Sequence, residues 1–331
     1  MRLAFLIVGL LAASPAWGDS WLDCNQSADP QRGISGCTQV INEGRSDAKI
    51  TAIAYNNRGN AYDELKQHRR AIQDFNEALR LDPRQAIAYY NRGFAYYHLK
   101  QYRRAIQDYD QALRLNPRHA FAYNNRGIAY FKLNQYRRAI EDHNEALRLN
   151  PNFAFAYNNR GSAFFNLKQY RRAIEDYDEA LRLNPKYAIA TSNRSLVYRR
   201  VFADLNQAIK LDPQNSKAYN NRGIVYDRMR QYRRAIGDFT VAIQLNPTDA
   251  THYYNRGKVQ AKSKRFYHAF ADFTLAIAYD PLNANAYYQR GLTKEKLGLK
   301  NSTIEDYRKA LALNPTLWQA KKRLKWLGVN R

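Results

Sequence analysis

Two columns of opposite charge run through this 331-residue chain at one shared spacing. Arg58, Arg92, Arg126, Arg160, Arg194, Arg222, Arg256 and Arg290 form the first, and Asp74, Asp108, Asp142, Asp176, Asp204, Asp238, Asp272 and Asp306 the second. A guanidinium and a carboxylate can meet through two parallel hydrogen bonds, which fixes geometry as well as charge. The columns also stop together, because Ser20 and Gly36 occupy the equivalent places at the N-terminal end. This predicts structural ion pairs between helices, with a ligand role as the alternative.

A third column precedes the arginines: Asn57, Asn91, Asn125, Asn159, Asn193, Asn221 and Asn255, closed by Gln289. Asn is a middling helix former, so its recurrence at one place needs a cause. A primary amide offers two donors and an acceptor, and a ladder of amides suits an extended polypeptide backbone of any sequence. A packing or capping role is the alternative. Near the ladder stand side chains that change from copy to copy: Tyr90, Phe94, Tyr97, Phe131, Lys132 and Phe165. Aromatics of this kind anchor partners when exposed, or else pack on the adjacent helix. Later copies carry Arg199, Arg200, Arg228, Lys258 and Lys262 instead.

Catalytic chemistry finds little to work with. The six histidines occupy six different places in the repeating pattern, so no metal-ligand spacing recurs. No phosphate-binding glycine loop or nucleophile elbow is present. The expectation is a protein without catalytic residues, metal or cofactor.

The elements that hold these columns follow from the prolines. Eight of the ten stand at Pro83, Pro117, Pro151, Pro185, Pro213, Pro247, Pro281 and Pro315, 34 residues apart except at one gap. Between them small and apolar residues step at three and four, the helical period. In one copy these are Tyr123, Gly127 and Tyr130, then Ala139, His143 and Ala146. Each copy therefore reads as two helices, the second stopped by proline. The sequence Tyr-x3-Gly-x2-Tyr…Ala-x3-aromatic-x2-Ala-x4-Pro resembles the tetratricopeptide repeat (TPR) signature, and the resemblance covers roughly residues 52–317. It implies an all-α fold: a right-handed TPR superhelix, an α-solenoid of about eight helix-turn-helix repeats whose first helices line a concave groove for a peptide or protein segment. The asparagine column is similar to the array lining the TPR superhelix of O-linked N-acetylglucosamine transferases, which grips extended polypeptide.

On this frame, residues 1–18 read as a cleavable signal peptide, with Arg2, an apolar run and small residues before a cut after Gly18. Retention as an uncleaved anchor is the alternative. Residues 19–51 fit a shortened capping pseudo-repeat. There Cys24 falls in the place of the first-helix tyrosine and Cys37 in that of the second-helix aromatic, places that pack together in such a repeat. A disulfide would replace that contact, in keeping with an oxidising compartment, and closing so short a loop would stabilise by about 3 kcal/mol. Metal binding is the weaker reading of the pair.

Four repeats occupy residues 52–187 and three occupy 216–317. Between them, 188–215 is a fifth repeat lacking six residues, with Ser195 in the glycine place. Without Gly or Pro between Ile189 and Asp212 it could run as one continuous helix or kink the array into two modules; a shortened repeat that packs normally is the alternative. Residues 318–331 form a C-terminal capping helix with Leu317, Ala320, Leu324 and Leu327 on one stripe.

Net charge is +24, from 53 Lys and Arg against 29 Asp and Glu, which favours anionic partners. Arginine pairs such as Arg137-Arg138 open most second helices. Beyond the leader no apolar run approaches the roughly 18 residues of a membrane span. The combined expectation is a periplasmic or secreted, non-enzymatic scaffold that binds an extended acidic polypeptide in its groove. The rival reading is a cell-envelope docking protein whose basic convex face meets anionic lipid or polymer. Export and the absence of a recognised module speak against nucleic acid.

Overall fold

The computed structural model describes residues 18–43 and 47–329. The expected leader lies, up to residue 17, outside the described residues. Among the described residues all regular structure is helical, and no helix is long and apolar enough to cross a membrane.

The helices are α1 (Gly18–Gln26), α2 (Pro30–Asn42), α3 (Ala48–Glu64), α4 (His68–Leu81), α5 (Ala86–His98), α6 (Tyr102–Leu115), α7 (Ala120–Lys132), α8 (Tyr136–Leu149), α9 (Ala154–Asn166), α10 (Tyr170–Leu183) and α11 (Ala188–Leu211). They continue as α12 (Ser216–Arg228), α13 (Tyr232–Leu245), α14 (Ala250–Lys262), α15 (Phe266–Tyr279), α16 (Ala284–Lys296), α17 (Lys300–Leu313) and α18 (Trp318–Trp326). The chain divides into two compact blocks, residues up to Arg194 and residues from Ser195 on.

Within each block a helix packs on the next in sequence, α3 on α4, then α4 on α5, with the same order from α12 to α18. The core is accordingly a string of small clusters, each shared by neighbouring helices, as expected where a repeat packs only on its neighbours. In the first block Ala146, Leu147, Phe153 and Ala156 make one such cluster. In the second, Tyr253, Ala276, Ile277 and Ala286 make another.

Each second helix buries one stripe. In α4 this is Ala71, Asp74, Phe75, Ala78 and Leu79, and at Asp82 the backbone turns extended before Pro83. The turn inside each pair is closed by one left-handed residue: Lys66, Lys100, Asn134, Lys168, Arg230, Lys264 and, last, Gly298. Lys66 N–H donates to Asp63 at 2.9 Å and Gln67 N–H to Tyr62 at 2.8 Å, satisfying carbonyls that the end of α3 leaves open.

Two places depart from this pattern. Between α1 and α2 the Cys24–Cys37 disulfide is formed, packed on Ala54, Val40 and Ile41. Beside it Gly36 lets the two helices touch: a Cβ there would stand 2.7 Å from the Ser20 carbonyl oxygen and 2.8 Å from the Cys24 amide nitrogen. Because those neighbours are backbone and the helices are cross-linked, Gly36→Ala should destabilise the cap by at least about 1–3 kcal/mol of overpacking. Thermal melting followed by circular dichroism checks it; an unchanged Tm would refute the close packing of α1 on α2.

The second place is α11, one unbroken helix of 24 residues where the other repeats have a pair. The six missing residues would have made the turn and the start of a second helix. One expected ion pair fails for this reason. Arg194 and Asp204 lie ten residues apart on α11, about 15 Å along the axis, and cannot meet. Arg194 instead bonds Asp178 at 2.6 Å, and Asp204 stands 3.6 Å from Arg200. At the C-terminal end, α18 lays Ala320 and Leu324 against Tyr307 and Ala310.

Candidate functional site

In every complete repeat the first-helix arginine holds an aspartate through two hydrogen bonds. Arg58 Nε and Nη2 each donate to the Asp74 carboxylate at 2.8 Å. Arg92 grips Asp108 at 2.8 and 2.7 Å, Arg126 grips Asp142 at 2.9 and 2.6 Å, and Arg160 grips Asp176 at 2.9 and 2.6 Å. In the second block Arg222, Arg256 and Arg290 hold Asp238, Asp272 and Asp306 likewise. Each guanidinium also lies over the tyrosine three residues earlier, as Arg58 does over Tyr55 at 5.3 Å and Arg160 over Tyr157 at 5.4 Å. The Asp74 hydrogen bond outweighs burial and raises the Arg58 pKa. For Arg126 burial opposes the charge, and the hydrogen bonds and charges of Asp142 and Asp110 overcome it, raising the pKa well above normal.

The remaining nitrogen, Nη1, reaches the preceding repeat, a contact that sequence reasoning missed. It donates from Arg58 to Thr38 at 3.0 Å, from Arg92 to Asn76 at 2.8 Å, from Arg126 to Asp110 at 2.7 Å and from Arg160 to Asn144 at 2.7 Å. One side chain thereby joins three helices: its own, its partner and the second helix of the repeat before.

The asparagine column is laced in the same direction. Asn91 Nδ2 donates to Asn56 at 3.0 Å, Asn159 to Asn124 at 3.1 Å, Asn193 to Asn158 at 3.0 Å and Asn255 to Asn220 at 3.0 Å. Asn57 reaches Asn25 at 3.2 Å, and Asn125 reaches the Tyr90 hydroxyl at 2.9 Å. Asn221 is exposed. The receiving residues Asn56, Asn124, Asn158 and Asn220 are buried and were not singled out from sequence. The Asn-Asn dipeptide that recurs in those four repeats was the available signal. Each laced amide uses one N–H, so the other is left for a further acceptor.

The variable aromatics are half-buried and lean on their surroundings. Tyr90 contacts Tyr109 and His119, with ring centroids 5.9 and 4.7 Å apart. Phe94 meets His98 at 4.5 Å, and Tyr97 meets Tyr102 at 5.5 Å, with burial raising the Tyr97 pKa. Phe131 and Phe165 sit against Tyr136 and Tyr170 at 5.3 and 5.8 Å, while Lys132 is exposed. His98 also stacks on His68 at 4.9 Å, and His68 Nδ1 lies 2.7 Å from buried Asp63. In the second block Lys262 Nζ donates to both Asp227 oxygens, at 2.7 and 2.6 Å. A row that was not singled out is more open. Ile53, Phe155 and Ile189, at the same place in their first helices, are 37%, 48% and 59% exposed.

On the opposite helices, the second arginine of each pair is held in one pose. Arg70, Arg104, Arg138 and Arg172 lie over Tyr62, Tyr96, Tyr130 and Phe164, each donating to a glutamine three residues earlier. Their neighbours Arg69, Arg103, Arg137 and Arg171 are exposed. Among the described residues no group of three or more His, Cys, Asp or Glu converges on a possible metal position.

Comparison with known structures finds partial matches. The crystal structure of MamA is 25% identical over 48% of this chain and 91% of that one, with a TM-score of 0.44. The crystal structure of YrrB, described as a TPR protein with an unusual peptide-binding site, is 21% identical over 66% of this chain and 97% of that one, with a TM-score of 0.34. The TPR2AB domain of yeast Sti1 in complex with pHSP90 is 23% identical, covering 73% of this chain and 96% of that one, at a TM-score of 0.36. No curated protein matches the chain. Family comparison matches the tetratricopeptide repeat to residues 52–85, 86–119, 120–153 and 154–187, to 205–237 and to 284–317. With these matches covering more than half of its length, and the arginine fork and proline stop recurring along it, the chain belongs to the tetratricopeptide repeat family.

Proposed function

We propose that this protein is a non-enzymatic interaction scaffold, exported after removal of residues 1–18, that holds an extended acidic polypeptide along its first helices. The observation that carries this reading is the exposed apolar row Ile53, Phe155 and Ile189. Apolar side chains left in water at a repeated place suit a partner that runs along the repeats. Arg84, Arg118 and Lys186, exposed in the loops that lead into first helices, and the net charge of +24 suit a partner with carboxylates between its apolar residues. The free N–H of each laced asparagine, with Tyr90, Phe94, Tyr97, Phe131, Lys132 and Phe165, completes the contact set.

A labelled peptide alternating glutamate with leucine or phenylalanine, read by fluorescence anisotropy, tests the proposal. It should bind, a lysine-for-glutamate version should not, and Phe155→Ala should weaken binding by roughly tenfold or more. Asn91, Asn125 and Asn159 replaced together by Ala should weaken it too, with some loss of stability because these amides lace the repeats. Equal affinity for both peptides, or for the Phe variant and the parent, would sink the reading.

The fixed poses of Arg70, Arg104, Arg138 and Arg172 favour a second reading, docking of the basic face on anionic envelope lipid or polymer. Binding to anionic vesicles that falls with salt and vanishes on replacing Arg69, Arg103, Arg137 and Arg171, while peptide binding persists, would support it.

A further inference from the structure

In every complete repeat two contacts join the helices of a pair. A glycine lies under a ring sixteen residues later, as Gly59 under Phe75, Gly161 under Tyr177 and Gly223 under Phe239. The arginine before that glycine forks onto the aspartate before that ring. In α11 all four places are still filled, two of them by altered residues: Ser195 and Leu205 take the glycine and ring places, and Arg194 and Asp204 those of the fork. The size change is mutual, because the small member has gained a side chain where the large member has lost its ring.

The deletion puts both sets on one helix, ten residues apart, so neither contact can close within the chain. It also preserves their phase. Ser195, Tyr198, Val201, Leu205 and Ala208 follow one another at three, three, four and three residues, a single helical stripe. The second part of that stripe is incompletely covered: Val201, Leu205 and Ala208 are half-buried, whereas their counterparts Ala71, Phe75 and Ala78 are fully buried.

We infer that α11 pairs antiparallel with α11 of a second copy of this chain about a two-fold axis near residue 200. Two-fold symmetry makes the match self-consistent: residue i of one copy faces residue 400 minus i of the other, so Ser195 meets Leu205 of the second copy and Leu205 meets its Ser195. Arg194, whose Nη1 is already bonded to Asp178, turns its Nε and Nη2 edge to Asp204 of the second copy. Each α11 half then regains the helix that the missing turn removed, and two whole repeats form from two incomplete ones. This is an exchange of identical elements between protomers, which loss of a hinge loop promotes.

Light scattering of the full chain over a dilution series should give twice the monomer mass, reverting to one only at high dilution. Inserting Leu-Lys-Gln-Tyr-Arg-Arg, a copy of residues 167–172, between Arg200 and Val201 restores the turn and should yield a helical monomer at every concentration. The variant S195C/L205C should give a covalent dimer on oxidation, since residues ten apart on one helix exceed disulfide reach within a chain; neither single variant should do so through this pairing, because its cysteine then faces Leu205 or Ser195. A monomer at all concentrations overturns the inference. So does a dimer that survives the insertion and fails to cross-link through S195C/L205C.

Discussion

Replacing Asp176 by Ala should cost about 3–5 kcal/mol of unfolding free energy, because it strands a largely buried guanidinium. The Arg160 and Asp176 side chains are 21% and 8% exposed, and Arg160's other hydrogen-bond partner, Asn144, carries no charge. Asp142→Ala should cost less, since Arg126 keeps Asp110 at 2.7 Å. Glu179→Ala, which removes the exposed Arg182–Glu179 pair, should change stability by no more than about 1 kcal/mol. Urea unfolding of the three variants ranks them. The damage from Asp176→Ala should also spread, because Arg160 bridges to Asn144 on α8 as well as to α10. Hydrogen exchange that speeds up in α10 alone, or equal losses for Asp176→Ala and Glu179→Ala, would show that the fork is not what joins the repeats.

Much of this frame was legible before any coordinates. Proline spacing and the three-four step placed the helix pairs, because breaking a helix and burying a stripe are local demands. In the third repeat α7 ends at Lys132 and Asn134 goes left-handed, between the Tyr123–Tyr130 and Ala139–Ala146 stripes read from the sequence. The fork from Arg126 to Asp142 could be read because both columns recur sixteen residues apart. Lys66 and Lys168 in left-handed turns were less visible. No glycine marks them, and their strain is offset by hydrogen bonds that exist only once the turn has formed.

What escaped the sequence lies between repeats. Whether the first or second residue of an Asn-Asn dipeptide is buried depends on a rotation of about 100° around the helix, and the buried member, Asn124 or Asn158, is defined by the neighbour it receives. The Arg160 Nη1 contact with Asn144 likewise joins the fourth repeat to the third. Histidines compared column by column showed no pattern, yet His68 and His98 stack because they face each other from adjacent repeats. The Arg194–Asp204 pair failed for the opposite reason: column logic assumed a turn that six missing residues had removed. The candidate peptide contacts Phe131 and Lys132 belong to the same class, since groove exposure is set by neighbouring helices. The exposed row of Ile53, Phe155 and Ile189 became visible only with the fold.

Stability should fall as the solution is acidified below about pH 6.5, and His143→Phe should remove much of that dependence. His143 occupies the ring place held elsewhere by Phe75, Tyr109 or Tyr177 and is fully buried, with neither ring nitrogen hydrogen-bonded. Burial, aided by the charge of Arg160, drives its pKa down to about 3. An unfolded chain with an ordinary histidine takes up a proton near pH 6.5, while the folded protein cannot until about pH 3. The depressed folded pKa of a base therefore withdraws stability between these values: about 2 kcal/mol at pH 5, and on the order of 4 kcal/mol near pH 3. His252, whose pKa burial also lowers, acts in the same direction and will keep part of the slope. Phenylalanine fits the column and buries no unsatisfied nitrogen, so His143→Phe should also gain about 1–3 kcal/mol at pH 7. The decisive quantity is the difference between parent and variant in urea midpoint at pH 7 and pH 5, in which the common carboxylate contributions cancel. Parallel pH profiles for the two proteins would mean that this imidazole is protonated in the folded chain and that its pocket is not dry.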